Sequence, residues 1–149
     1  IYNNPAHEFV AEFIGETNVL KGMIREISDK GINVELEGGG ILQLDITDST
    51  KFGLYNGEEV CVCIRPESLS LVRMHNHETR RSDINLLKGK VMESIYVGSY
   101  MEYLVELENG KSVKVRSQDV SNRFNIGEKC YVNFDPTRFQ IIRKHDEVT

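Results

Sequence analysis

Asn18-Val19-Leu20-Lys21-Gly22-Met23-Ile24 returns later in the chain as Asn85-Leu86-Leu87-Lys88-Gly89-Lys90-Val91. Each stretch opens on asparagine, carries a Lys-Gly pair and runs on into an apolar segment. A second correspondence lies further along. Gly57-Glu58 matches Gly127-Glu128, Pro66 matches Pro136, and Leu71-Val72-Arg73 matches Ile141-Ile142-Arg143. An opening N-x-L-K-G and a closing G-E…P…Arg, agreeing together, mark an internal repeat rather than the chance likeness of two β-rich segments.

Between these landmarks each half reads as five short strands. Alternating apolar residues predict strands over 20–27, 32–36, 41–46, 60–64 and 69–72, and again over 86–95, 101–107, 112–115, 130–134 and 139–142. Asp29-Lys30-Gly31 and Gly38-Gly39-Gly40 supply turn chemistry in the first half. Asn109-Gly110 predicts a type I′ hairpin in the second, because both central residues of that turn need positive φ. Proline cannot donate to a sheet ladder, so Pro66 and Pro136 each set off the last strand of their half. Five short strands per unit predict an all-β fold of tandem OB-like small barrels, since closure removes the sheet edges that would otherwise pair with other chains. Each unit alone has a thin core, and two in tandem gain stability from a shared interface.

The flanks read differently. Residues 1–17 predict a short N-terminal helix, with Asn4 as cap and Pro5 at the first helical position. Phe9, Val10, Phe13 and Ile14 form its apolar stripe, and Gly15 is its stop. That stripe is either core or a contact with a further domain. Residues 18–73 form the first unit, the polar stretch 74–84 a linker, and 85–149 the second unit with its tail. His75 and His77 in the linker invite a metal reading, but one polar stretch without convergent ligands favours solvated histidines. Cys61 and Cys63 share one face of a strand. They are half a metal site or, as favoured here, two small hydrophobes, because structural metal sites need four N/S ligands. No metal site is expected.

Composition narrows the function further. Three cysteines without framework spacing argue against a secreted disulfide scaffold. A net charge of −5 and the absence of tryptophan disfavour nucleic-acid binding, which calls for a basic groove with stacking aromatics. The charge is uneven: residues 1–73 hold 6 Lys/Arg against 12 Asp/Glu, and residues 74–149 hold 12 against 11. No G-x-x-x-x-G-K-[ST] loop occurs, and no nucleophile–base spacing can be argued, so no catalytic residue and no bound cofactor are expected in this chain. The chain opens at Ile1 and enters directly on a patterned segment, which reads as a fragment of something longer.

Ile1-Tyr2 with Pro5, followed by Phe9-Val10-Ala11-Glu12-Phe13-Ile14-Gly15-Glu16-Thr17-Asn18, resembles the junction in ABC importer ATPases between the nucleotide-binding domain and its C-terminal extension. Arg65-Pro66-Glu67 resembles the R-P-E signature of that extension. The stretches 89–98, 106–110 and 127–136 also fit. The family is the transport-associated OB (TOBE) domain, and the resemblance covers essentially the whole chain. Among its subfamilies the sequence looks most like the spermidine/putrescine importer ATPase, with iron(III)- and phosphonate-type importers close to it. The resemblance implies a non-catalytic regulatory and dimerising domain of a cytoplasmic subunit peripheral to the membrane. Its implied partners are an upstream nucleotide-binding domain, a second copy, permease subunits and, in some members, the transported substrate. ATP and Mg belong to the parent protein.

Phe9, Phe13, Ile14, Gly15, Arg65, Pro66 and Glu67 are the candidate interface or structural residues. For Arg65-Pro66-Glu67 two readings stand: a charged pair on a rigid corner that meets a partner, or a proline that turns the chain while its neighbours satisfy backbone groups. The rival functions are a free-standing small-ligand or oxyanion-binding tandem OB protein and, behind it, a single-stranded nucleic-acid binder.

Overall fold

The computed structural model describes residues 17–46, 53–74 and 84–143. The predicted N-terminal helix and its stripe of Phe9, Val10, Phe13 and Ile14, with Gly15, lie outside the described residues, as do His75 and His77.

Ten strands follow in order: β1 Asn18–Ser28, β2 Gly31–Leu36, β3 Ile41–Leu44, β4 Glu59–Ile64, β5 Leu69–Arg73, β6 Leu86–Tyr96, β7 Met101–Leu107, β8 Ser112–Ser117, β9 Lys129–Phe134 and β10 Gln140–Arg143. A 3₁₀ turn, Pro66–Ser68, separates β4 from β5. Every predicted strand is present, because period-2 alternation between turn residues leaves the backbone few alternatives. The fold is all-β, with two curled, OB-like five-stranded sheets.

The sheets do not follow the repeat. One has the order β10-β4-β1-β2-β3, the other β5-β9-β6-β7-β8, all pairs antiparallel. Each sequence half thus gives its fifth strand to the other half's sheet. β10 lies against β4 with Ile142 opposite Cys61, and β5 lies against β9 with Val72 opposite Tyr131. One continuous apolar cluster runs through both sheets, from Leu20, Ile24 and Val62 to Tyr103, Val105 and Phe134. Exchange and a common core make the halves mutually dependent.

Local details repeat faithfully. β1 bulges between Ile24 and Glu26, and β6 between Val91 and Glu93. At each bulge a glycine N–H closes the loop: Gly57 donates to the Ile24 carbonyl at 2.6 Å and Gly127 to the Val91 carbonyl at 2.7 Å. Gly22 has to be glycine, because a Cβ there would sit 2.8 Å from the Glu35 carbonyl oxygen. The β7–β8 turn departs from the expected type I′. Only Gly110 has positive φ, at 91°, while Asn109 does not. The Gly110 N–H donates to the Leu107 carbonyl, and Leu107 in turn to the Lys111 carbonyl, giving a three-residue loop that ends on a left-handed glycine. The Asn109 side chain explains the choice, since its Oδ1 accepts the Lys111 N–H at 2.9 Å and its Nδ2 donates to the Gly39 carbonyl at 2.9 Å.

Candidate functional site

Repeat motifs that look local in sequence operate between the two halves of the chain. The asparagine that opens each repeat is buried. Asn18 accepts the Lys114 N–H at 2.7 Å and donates to the Lys114 carbonyl at 2.9 Å. Asn85 does the same to Gln43, at 2.7 and 3.0 Å. Each side-chain amide thereby satisfies the outer edge of an end strand, β8 or β3, as one more peptide would. Asn85 holds φ 63°, a left-handed conformation that asparagine tolerates better than most residues.

The closing G-E…Arg motif is also reciprocal. Arg143 at the end of β10 donates through Nε to Glu58 and through one terminal nitrogen to the same carboxylate at 3.1 Å, with the Gly53 carbonyl at 2.8 Å. Glu58 is only 3% exposed, so this ion pair is its compensation for burial. Arg73 at the end of β5 pairs with Glu128, reaches Asn122 Oδ1 at 2.8 Å and the Arg123 carbonyl at 3.0 Å, and lies 4.0 Å over the Phe124 ring. Phe124 stacks edge-on to buried Tyr103 and donates its N–H to the Tyr103 hydroxyl at 3.1 Å.

Arg65-Pro66-Glu67 forms the corner between β4 and β5. Pro66 is buried and opens the 3₁₀ turn, with Arg65 extended before it. Glu67 comes within 3.9 Å of Arg116 on β8, which also binds Glu102 at 3.1 Å and lies over Tyr100. The hydrogen bond that Arg116 donates to Glu102 holds its guanidinium above the usual pKa. The corner therefore meets the other half of the chain.

A groove of about 570 Å³ runs over the outer face of the first sheet. Lys21, Met23, Glu35, Glu37, Glu59 and Cys61 line it. Glu35 is paired with Arg25, and Glu37 with Lys111 of the β7–β8 hairpin at 2.8 Å, a contact that lowers the Glu37 pKa. A smaller space of about 290 Å³ lies where Gly38, Gly39 and Gly40 meet Leu87, Lys88 and Asn109. Cys61 and Cys63 pack with Val19 and Ile142 on the outer side of β4, while burial pushes the Cys130 thiol up to about 11. Among the described residues no three His, Cys, Asp or Glu side chains gather as metal ligands would. Gly110-Lys111-Ser112 ends as a phosphate loop ends, but residue 105 is a buried strand valine and Lys111 is engaged by Glu37. Sequence reading missed the cross-sheet roles of Asn18 and Asn85 and the pairing of Glu58 and Glu128 with arginines from the other half of the chain, although the repeat itself was their signal.

A TOBE domain model matches residues 62–142. The spermidine/putrescine import ATP-binding protein PotA of Nitrosomonas europaea is 29% identical over 138 residues, covering 90% of this chain and 36% of that protein. PotA of Thermotoga maritima is 32% identical over 120 residues, covering 79% and 30%. The chain spans about a third of the length of the curated relatives it matches. A crystal structure of the cytoplasmic molybdate-binding protein ModG, with molybdate bound, superposes with a TM-score of 0.73 at 18% identity, covering 84% of this chain and 94% of that one, a likeness of fold. With its strands from β4 to β10 matched by the family model, the chain belongs to the TOBE domain family.

Proposed function

We propose that this chain is the regulatory and dimerising part of the ATP-binding subunit of an ABC-type importer, with spermidine or putrescine as cargo. The observation that carries the reading is the extent of the match: nearly all of this chain aligns with about a third of proteins named as spermidine/putrescine import ATP-binding subunits. Nucleotide and Mg²⁺ then bind elsewhere in the parent, since the phosphate loop and metal-binding acids of phosphoryl transfer have no counterpart in this sequence. The parent sits at the inner face of the membrane against permease subunits, and Arg65-Pro66-Glu67 and the Phe9/Phe13/Ile14/Gly15 segment serve as internal or interdomain contacts.

ATP hydrolysis is the test. The purified chain is inert, whereas the longer protein that carries it turns over ATP with Mg²⁺; hydrolysis by the pure chain would refute the reading. Calorimetry with spermidine then assigns cargo. In the outer groove Glu35 and Glu37 are held by Arg25 and Lys111, so a bound polycation displaces those partners, and absence of heat confines the domain to an architectural role. The likeness to ModG supports a second reading, capture of a small oxyanion, which titration with molybdate tests directly.

A further inference from the structure

Two Asn-Gly steps stand in the sequence, Asn56-Gly57 ahead of β4 and Asn109-Gly110 between β7 and β8. Such a step exposes the asparagine side-chain amide to attack by the next backbone nitrogen, because glycine has no side chain to obstruct the approach. The two glycines are matched. Gly57 has φ 90° and Gly110 has φ 91°. Where a Cβ would stand on either, the space is open to 4 Å. Each N–H donates to one carbonyl, Gly57 to Ile24 at 2.6 Å and Gly110 to Leu107 at 2.9 Å. Any difference in reactivity between the two steps therefore lies with the asparagines.

The asparagines are held unequally. Asn109 is fixed at both ends of its amide, by the Lys111 N–H and by the Gly39 carbonyl, each at 2.9 Å. Asn56 is exposed, and among the described residues no hydrogen bond holds its amide. The internal repeat adds a second contrast. Gly57 closes the β1 bulge as Gly127 closes that of β6, but the residue before Gly127 is Ile126. Of the two bulges, the first alone is closed by a step that can alter itself.

We propose that Asn56 is a site of spontaneous deamidation, and that its conversion unlocks the β1 bulge. The Gly57 nitrogen, on leaving the Ile24 carbonyl, attacks Cγ of Asn56. The N–Cγ bond forms, the Cγ–Nδ2 bond breaks, and ammonia departs with the proton that the Gly57 nitrogen gives up. Water then opens the five-membered imide at either carbonyl, giving aspartate or isoaspartate. One amide and one water become one carboxylate and one ammonium, and no oxidant is needed. In the isoaspartyl product the side-chain methylene joins the main chain. Gly57 then cannot keep its N–H on the Ile24 carbonyl while Glu58, the next residue, keeps its pairing with Arg143. Either product also sets a new carboxylate beside Glu58 and Glu59. Asn109 reacts by the same route more slowly, since its amide must first break two hydrogen bonds.

Mass spectrometry tests this on the 149-residue chain, held at mildly alkaline pH both folded and in urea, sampled over days and cut with trypsin. Each step falls in its own peptide, 52–73 and 91–111, with one asparagine apiece. In the folded chain, 52–73 is expected to gain the mass of acid for amide at least about tenfold faster than 91–111, the two hydrogen bonds on Asn109 accounting for the difference. In urea, where both amides are free, the rates converge. Isoaspartate in 52–73 is read by methyl transfer from S-adenosylmethionine with an isoaspartyl methyltransferase. The aged chain melts about 3 °C or more below the fresh one, the loss of roughly one backbone hydrogen bond. Asn56→Ser, which cannot form the imide, keeps its midpoint on ageing. Folded 91–111 converting as fast as 52–73, folded 52–73 not converting, the same ratio of rates in urea, or an aged chain that melts as the fresh one does would each overturn the proposal. None of these outcomes touches the importer reading, which turns on nucleotide and cargo.

Discussion

The two sheets share a backbone plan and differ in what they show to the outside. On the outer face of the first, Met23 stands opposite Glu59 and Lys21 opposite Cys61, with Glu35 and Glu37 alongside. On the second, the same places hold Lys90 opposite Lys129 and Lys88 opposite Tyr131, with Glu106 and Glu108 alongside. The first sheet's outer face thus sets Glu35, Glu37 and Glu59 beside Lys21, and the second sheet's sets Lys88, Lys90 and Lys129 beside Glu106 and Glu108. The hairpin ends invert the contrast, polar in the first unit and apolar in the second. Duplicated architecture has fixed the inward-facing positions, where packing tolerates little change, and left the outward ones free to acquire separate roles.

The largest expected effect breaks the premise that there are two units at all. Expressed separately, residues 17–73 and 84–143 each lack the fifth strand of their own sheet, and neither is expected to show a cooperative thermal melt. Mixing them restores the β-sheet circular dichroism. A repeat that folds alone would mean the exchange of β5 and β10 is incidental.

The arginine clamps come next and sharpen the comparison. Arg143→Ala leaves the Glu58 carboxylate buried and uncompensated, and costs about 3 kcal/mol in urea unfolding. Arg73→Ala costs less, about 1–2 kcal/mol, because Glu128 is 24% exposed and regains water. Equal losses would show that burial of the carboxylate is not what separates the two clamps.

The opening asparagines differ more finely. Asn18→Ala strips both partners from Lys114 and costs about 2 kcal/mol. Asn85→Ala costs about 1 kcal/mol more, since alanine is strained at φ 63°. Asn85→Gly recovers that increment alone, which chemical denaturation of the three variants resolves.

The smallest effect is a pH dependence at the corners. Asp135 occupies the place that Arg65 has in the first unit, and its pKa is lowered chiefly by the Thr137 N–H, with the Thr137 hydroxyl adding to it. A lowered folded pKa gives stability that is present above the ordinary carboxylate range and lost as pH falls through the folded value. Asp135→Asn should flatten the acid side of the stability profile slightly, as urea unfolding from neutral to acid pH reads it.

Sequence by itself determined the strands, their number and most of their limits, because alternation and turn residues act within a few positions of one another. It also exposed the repeat, and with it Asn18, Asn85, Glu58, Glu128, Arg73 and Arg143 as paired positions, though not what they touch. The turn at Asn109-Gly110 escaped it for a like reason: the Asn109 side chain is held by Gly39, 70 residues away. Only the tertiary structure decided which sheet each fifth strand joins. Leu71-Val72-Arg73 and Ile141-Ile142-Arg143 carry the same pattern and fit either sheet equally well, so no local preference separates them. The choice is made at the corner, where Pro66 opens a 3₁₀ turn after extended Arg65. A chain held in that path cannot fold back as a hairpin onto β4, so β5 is carried across to β9 and the vacant edge of β4 is filled by β10.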